Sequence, residues 1–342
     1  MKLLITTQAI DTQDPILGFF HRWVEEFAAH ADHVYVICLR AGEYSLPSNV
    51  TIYSLGKESG ENRIKYTVRF YRYFLKIFFW ERVDFVFFHM GAIYNIMAMP
   101  FFLVRSLYKT KFYWWKTHGH INWVGRCALR CIDRVFTASE VSFPLNTSKK
   151  SIIGHAIDTD LFRPTHIKRD DFKVIYVGRI GPIKHLEDFV RVAQYIHAQF
   201  PSARFDIIGP VTDVAYCAHI RALIESLALH DVVSILEPRK NTELPDVYSG
   251  ASLFLNTSQT HSMDKTILES MLCGCIPITH NKAFKEMLQP YNLFDTEGTP
   301  ESYARIITDL MRNQHLDTLR VTLRERVKKD HSVTTLYNRI FT

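Results

Sequence analysis

Three observations predict an α/β protein of two domains, each an open parallel sheet covered by helices on both faces. Short apolar runs alternate with helix-length segments along most of the chain, the pattern of parallel strands buried on both sides. At 342 residues the chain is long enough for two such cores. The clearest unit lies at 252–279, where an apolar run leads through a polar loop to a helix over 265–272, the exit Cys273-Gly274-Cys275 and a second run at 276–279. Strand, polar loop, helix, glycine stop and strand make up the repeat of an open parallel sheet, whose ligands gather at the C-terminal strand ends.

In the first half, residues 3–7 read as a strand, and the loop 8–18 leads to a helix over 19–29. Strands follow at 34–39 and 50–54, then a basic, aromatic helix over 63–80. The apolar run 83–88 is a strand, 95–107 a helix kinked or broken near Pro100, and 111–116 a strand ending in Thr117-His118-Gly119-His120. A helix at 123–132 and strands at 135–137 and 151–153 complete this half, and the polar run 165–171 reads as a linker. The second half restarts with strands at 173–177, 204–208, 232–236, 252–255 and 276–279. Helices at 186–199, 216–227, 244–248 and 265–272 alternate with them, before terminal helices at 302–312, 316–329 and 332–341. The domains are therefore expected at 1–165 and 166–330, with 331–342 as a final helix.

Apolar residues make up 47% and charged residues 22%, as in a soluble globular chain. The aromatic load of 24 Phe, 16 Tyr and 5 Trp falls largely before Trp123. A formal charge of +6 favours an anionic partner such as a nucleotide sugar, a phospholipid surface or nucleic acid, without choosing among them. The six cysteines form no CxxC pair and read as reduced thiols of a cytosolic protein. Cys127 and Cys131 lie one helical turn apart, too few ligands for structural zinc. The first apolar run is too short for a signal sequence. The closest candidate for a membrane span, 91–104, is interrupted by Pro100 and ends against Arg105.

Two loops carry candidate chemistry. The strand at 173–177 leads into Gly178-Arg179-Ile180-Gly181-Pro182-Ile183-Lys184-His185. Two glycines and two cations at a strand exit suit a diphosphate. The order is neither that of a Walker A loop nor a dinucleotide fingerprint, and a solvated basic turn is the alternative reading. The loop 256–264 holds His261 and Asp264, with Lys265 and Glu269 in the helix beyond. These residues read equally as a solvated turn followed by a capping or surface carboxylate.

In these motifs the second half resembles the donor-binding half of retaining GT-B glycosyltransferases of the GT4 group, the glycosyl transferases group 1. That family carries G-R-x-x-x-x-K-G, matched by Gly178, Arg179 and Lys184, with His185 in place of the last glycine. Its E-x7-E signature is matched at the later glutamate, Glu269, and by Gly274 and Pro277, with His261 in place of the first glutamate and Ser262-Met263-Asp264 in place of G-F-G. The element 154–162 resembles N-G-V/I-D-x-x-x-F, keeping Asp158 and Phe162. The resemblance implies a GT-B fold, two Rossmann-like domains facing each other across a cleft, with the last helix crossing back to the first domain. It further implies transfer of a sugar from a UDP- or GDP-sugar to a glycan or lipid-linked hydroxyl, with retention. Arg179 and Lys184 would stabilise the leaving diphosphate, Glu269 would hold the ribose, and Gly178, His261, Asp264 and Lys265 would line the donor site. His118, with His120 as its rival, matches a histidine that touches the donor sugar, and Gly18 matches a glycine near the donor phosphates or acceptor.

No cofactor or divalent metal is expected, the one D-x-D, Asp158-Thr159-Asp160, lying in the linker signature. The alternatives are a sugar-nucleotide epimerase of the same fold and a catalytically degenerate sugar-nucleotide-binding protein. Nucleic-acid binding lacks any motif here. The helix 63–80 interleaves Arg63, Lys65, Arg69, Arg72 and Lys76 with eight aromatics. It either packs its aromatic side into the first domain or lies on an anionic membrane, at its cytoplasmic face.

Overall fold

The apolar runs form two separate parallel sheets in a computed structural model that describes residues 1–14, 16–260, 262–313 and 316–342. Unit 1 comprises Met1–Asp158 and Val333–Thr342, and unit 2 comprises Thr159–Ser332.

Unit 1 runs through β1 (Lys2–Ile10), α1 (Phe20–His30), β2 (His33–Ala41), β3 (Val50–Ser54), α2 (Arg63–Leu75), β4 (Phe85–His89), α3 (Ala92–Met97) and α4 (Met99–Val104). It continues with β5 (Lys111–Trp115), α5 (Trp123–Ala128), β6 (Arg134–Thr137) and β7 (Lys150–Ile152). The sheet order is β3-β2-β1-β4-β5-β6-β7, every pairing parallel. Unit 2 runs through β8 (Asp170–Val177), α6 (Leu186–His197), β9 (Arg204–Ile208), α7 (Val214–Ser226), β10 (Val233–Leu236), α8 (Leu244–Ser249) and β11 (Ala251–Asn256). Then come α9 (Lys265–Leu272), β12 (Ile276–Thr279), α10 (Lys285–Leu288), α11 (Pro300–Arg312) and α12 (Asp317–His331). Its sheet order is β10-β9-β8-β11-β12, again parallel. The last helix, α13 (Leu336–Phe341), belongs to unit 1.

Each face of the first sheet has its own core. On one side Trp23, Val24 and Phe27 of α1 meet Phe87 and the returning α13, whose Phe341 packs edge-on to Phe27 at 5.7 Å. On the other side Phe70 and Phe74 of α2 meet Phe101, Phe112 and Trp114. The segment read as one helix over 63–80 divides. α2 ends at Leu75 and a π-helical turn, Lys76–Glu81, carries the chain on to Arg82, whose φ of 55° is left-handed. The 95–107 helix also divides, at Ala98, with Pro100 in the first turn of α4. Its missing N–H has no intrahelical partner to lose there.

The run read as a linker is part of unit 2. Phe162 is buried with its ring 6.3 Å from that of Tyr248, the Thr165 N–H donates to Ser249 Oγ at 3.1 Å, and Arg169 Nη2 donates to the Cys273 carbonyl at 3.1 Å. A second arginine, Arg320, donates from Nε to the Gly274 carbonyl at 3.0 Å. The helix exit at 273–275 is thus clamped from two sides. All six cysteines are free, and burial pushes the Cys275 thiol up to about 12.

Candidate donor site

Three loops leave the C-terminal ends of β8, β11 and β12. The first is shaped by close backbone approach. Gly178 N–H donates to the Ile208 carbonyl at 2.9 Å, and a Cβ on Gly209, where φ is 151°, would lie 2.0 Å from the Gly178 oxygen. A Cβ on Gly178 itself would lie 2.6 Å from the Tyr176 hydroxyl. That buried hydroxyl donates to the Arg179 carbonyl at 3.0 Å, fixing the loop's first turn. The Arg179 side chain is exposed, with no hydrogen-bond or ion-pair partner among the described residues. A short 3-10 turn, Pro182–Lys184, then leads to His185 at φ 48° and into α6. This left-handed position is one that glycine adopts at least cost.

Lys184 turns inward. Its side chain is 10% exposed and its Nζ lies 3.1 Å from Asp264 Oδ2. Asn256, at the end of β11, ties the loops together. Its Nδ2 donates to the same Asp264 oxygen at 3.2 Å, and its Oδ1 accepts from Thr279 Oγ1 at 3.3 Å and from the Ser258 N–H at 3.2 Å. The Thr257 hydroxyl donates to the Lys184 carbonyl at 2.8 Å. From the third loop Asn281 Nδ2 donates to the Ser262 carbonyl at 2.8 Å. A charge this desolvated persists only when paired, and Asp264 supplies the pairing.

Glu269 lies in the second turn of α9, buried, with Oε2 accepting from the Tyr248 hydroxyl at 3.2 Å. Lys265 stands one turn earlier on the same helix face. Burial raises the Glu269 pKa, opposed by Lys265 and by the Tyr248 hydrogen bond. Burial lowers Lys265 to about 8, opposed by Glu269. Lys265 is half-buried as a residue, but its ammonium end is desolvated.

Of the sequence candidates, the structure gathers Gly178, Arg179, Lys184, Asp264, Lys265 and Glu269 at one edge of unit 2. His261 lies outside the described residues. His118 and His120 are exposed in the loop after β5 of unit 1. Next to them burial lowers the Lys116 amine. Gly18 also lies in unit 1, in a turn where its N–H donates to the Asp14 carbonyl at 3.0 Å and a Cβ would lie 2.7 Å from that oxygen. Close packing alone accounts for a glycine there. Sequence reasoning did not single out Asn256 or Tyr248. Asn256 was signalled as the polar residue closing an apolar run, whereas nothing local marks Tyr248. Among the described residues no three His, Cys, Asp or Glu side chains form a metal-holding group.

The chain is similar to known proteins in sequence and in fold. The profile of the glycosyl transferases group 1 matches residues 158–330. One component of the phosphatidylinositol N-acetylglucosaminyltransferase of Arabidopsis thaliana is 25% identical over 198 residues, 55% of this chain and 44% of that protein. The chain spans less than half the length of the curated relatives it matches. Anabaena Alr3699/HepE in complex with UDP superposes with a TM-score of 0.78 at 14% identity, covering 99% of this chain and 98% of that one. Sucrose-phosphate synthase from Thermosynechococcus elongatus superposes at 0.79 and 15% identity, covering 100% and 98%. At such identities what is shared is the fold, two Rossmann-like domains in the GT-B arrangement. With its profile match running from the end of the first sheet's unit to the last helix of the second, the chain belongs to the glycosyl transferases group 1.

Proposed function

We propose that this protein is a retaining glycosyltransferase of the GT4 group, moving a sugar from a nucleoside-diphosphate sugar to a hydroxyl acceptor. The observation that carries this reading is the Lys184–Asp264 ion pair, which ties the cation-bearing loop after β8 to the start of α9, the helix that carries Glu269. The departing nucleoside diphosphate gathers negative charge as the sugar acquires oxocarbenium character. Arg179 is open to solvent and meets a diphosphate oxygen directly, while the preset Lys184 ammonium adds a second cation without reorganising. Glu269 fixes the ribose and so the reacting atoms. The two cations do the work that a metal clamp does elsewhere, and this reading calls on no divalent ion. The donor is a UDP- or GDP-sugar, UDP being the ligand named for Anabaena HepE.

The acceptor is a glycan or lipid-linked hydroxyl, in polysaccharide, lipopolysaccharide or glycolipid synthesis. The Arabidopsis relative named for phosphatidylinositol supports the lipid-linked case. Six free thiols suit a cytoplasmic location. Thermal protection by UDP-, GDP- and ADP-sugars tests the donor site. At least one should raise the melting temperature, and Arg179→Ala should remove that rise; protection by none would defeat the proposal. The exchange of the family glutamate for His261 supports a second reading, donor binding without transfer. Protection without release of nucleoside diphosphate in the presence of lipid and glycan acceptors would favour it.

A further inference from the structure

The helical layer over one face of the first sheet has two apolar sides, and packing explains only one. Phe70, Phe74, Ile77 and Phe78 point inward and are fully buried. On the flank of the same helix Ile64, Val68, Tyr71 and Leu75 follow the i, i+4, i+7, i+11 spacing of a single helical stripe, with Tyr71 partly packed against the core. Ile64 is 75% exposed, Val68 62% and Leu75 41%. The π-helical turn then sets Trp80 on the surface at 75% exposure. Val68, Tyr71, Arg72, Leu75, Lys76 and Trp80 border a groove of about 920 Å³. Leu103 and Leu107 extend the exposed apolar surface along α4 and the turn after it, next to α2 through the contact of the Phe101 ring with Phe74, 4.4 Å between centroids.

The same layer concentrates the charge of the chain. Residues 63–132 hold twelve Lys and Arg against two Asp and Glu, a net of +10, although the whole chain carries only +6. The remaining residues are net acidic. Acidic groups near the stripe are occupied: Glu61 pairs with Lys65 at 2.9 Å and Arg69 at 3.0 Å, and Glu81 accepts from the Tyr35 hydroxyl at 2.8 Å. Arg63 and Arg72 are exposed, with no ion pair among the described residues, and Lys76 reaches the Tyr53 hydroxyl at 3.5 Å and lies 5.7 Å from the centre of that ring. No described helix is long and apolar enough to cross a bilayer.

We infer that α2 and the π-helical turn after it form a docking face for an anionic lipid bilayer. Ile64, Val68, Leu75 and Trp80 enter the boundary between headgroups and acyl chains, while Arg63, Arg72 and Lys76 lie against headgroup phosphates. A tryptophan is suited to that boundary because its ring is apolar and its N–H stays among polar groups. Charge complementarity selects this occupant. A second copy of the chain would set this basic layer against its own like charge, whereas a headgroup surface neutralises it. Apolar insertion beside the cations distinguishes the face from one built only to attract soluble anions.

The test is co-sedimentation of the whole chain with phosphatidylcholine vesicles, with and without phosphatidylglycerol, at low and high salt. Binding should require the anionic lipid and weaken with salt. Arg72→Ala/Lys76→Ala should bind about thirtyfold more weakly, at roughly a factor of five for each cation. Leu75→Ser/Trp80→Ser should lose most binding even at low salt. Both variants should keep the wild-type melting temperature and protection by nucleotide sugar, since the altered residues are exposed and lie outside unit 2. Absence of binding to anionic vesicles at low salt would overturn the inference, as would variants that bind like the parent. So would a dimer in solution that Trp80→Ser disperses. Absence of nucleotide protection in the parent chain would count against the donor-site reading alone.

Discussion

The outer side of α2 and the strand-end loops of the second sheet are both built around cations, and they treat those charges in opposite ways. In the loops Lys184 is withdrawn from water and met by Asp264, which is itself held by Asn256. On α2 the exposed Arg63 and Arg72 have no such counter-charges among the described residues, and they border apolar side chains that are exposed as well. Desolvating a charge costs several kcal/mol unless a partner is in place, so the geometry of a buried cation is set by the fold. A hydrated cation needs no partner. Its arrangement with neighbouring apolar groups is free to follow whatever docks on the surface.

Mutation of adjacent residues on α2 should expose its two sides with the largest effect. Phe74→Ala removes a fully buried ring from the core shared with Phe101 and Phe112 and should cost about 3–5 kcal/mol of unfolding free energy. Leu75→Ser, one residue along, should stay within about 0.5 kcal/mol. Urea unfolding measures both, and equal costs would mean that Leu75 is packed and the outer stripe does not exist. The loops should behave differently. Asp264→Ala strands a buried ammonium and should cost about 3 kcal/mol, together with protection by nucleotide sugar. Adding Lys184→Met should recover part of that stability but none of the protection, because the pair acts as a unit. Additive losses in the double variant would show that the two side chains do not depend on each other.

These two regions were legible in the sequence to different degrees. The bounds of α9 and β12 were read to the residue, because a polar loop, Gly274 and Pro277 punctuate them. The loop 178–185 was legible as a cation pair at a strand exit, but not as one open arginine and one buried lysine, since burial depends on what the distant Asp264 does. His185 was conspicuous as a departure from glycine, and the left-handed backbone there gives the reason glycine is common. Tyr248 gave no signal because its partner Glu269 lies on another helix. On α2 the aromatic periodicity was plain, yet the π-helical turn was not, because an extra residue in one turn leaves the local composition unchanged.

The smallest expected effect belongs to a pair that combines features of both regions, Lys265 and Glu269, charged groups desolvated one turn apart on α9. Burial brings Lys265 down to about 8 from 10.5. Between those values the folded chain has released a proton that the unfolded chain still holds, so stability rises with pH across that window. Glu269 has the opposite sense. Its raised pKa leaves the folded chain holding a proton that the unfolded chain has lost, so its contribution falls as pH rises above 4.5 through the raised value. Above pH 8 the lysine should add up to about 1 kcal/mol of stability per pH unit as it loses its proton. Buried thiols such as Cys273 and Cys275, whose pKa values are raised, work against this trend. They do so equally in a Lys265→Met variant, so the difference between the two proteins isolates the lysine. Urea midpoints for both, taken at pH 8 and about one and a half units higher, should converge on the wild-type side as the lysine sheds its charge. Parallel curves would mean that the ammonium reaches water, and that Glu269 is held in place by Tyr248 alone.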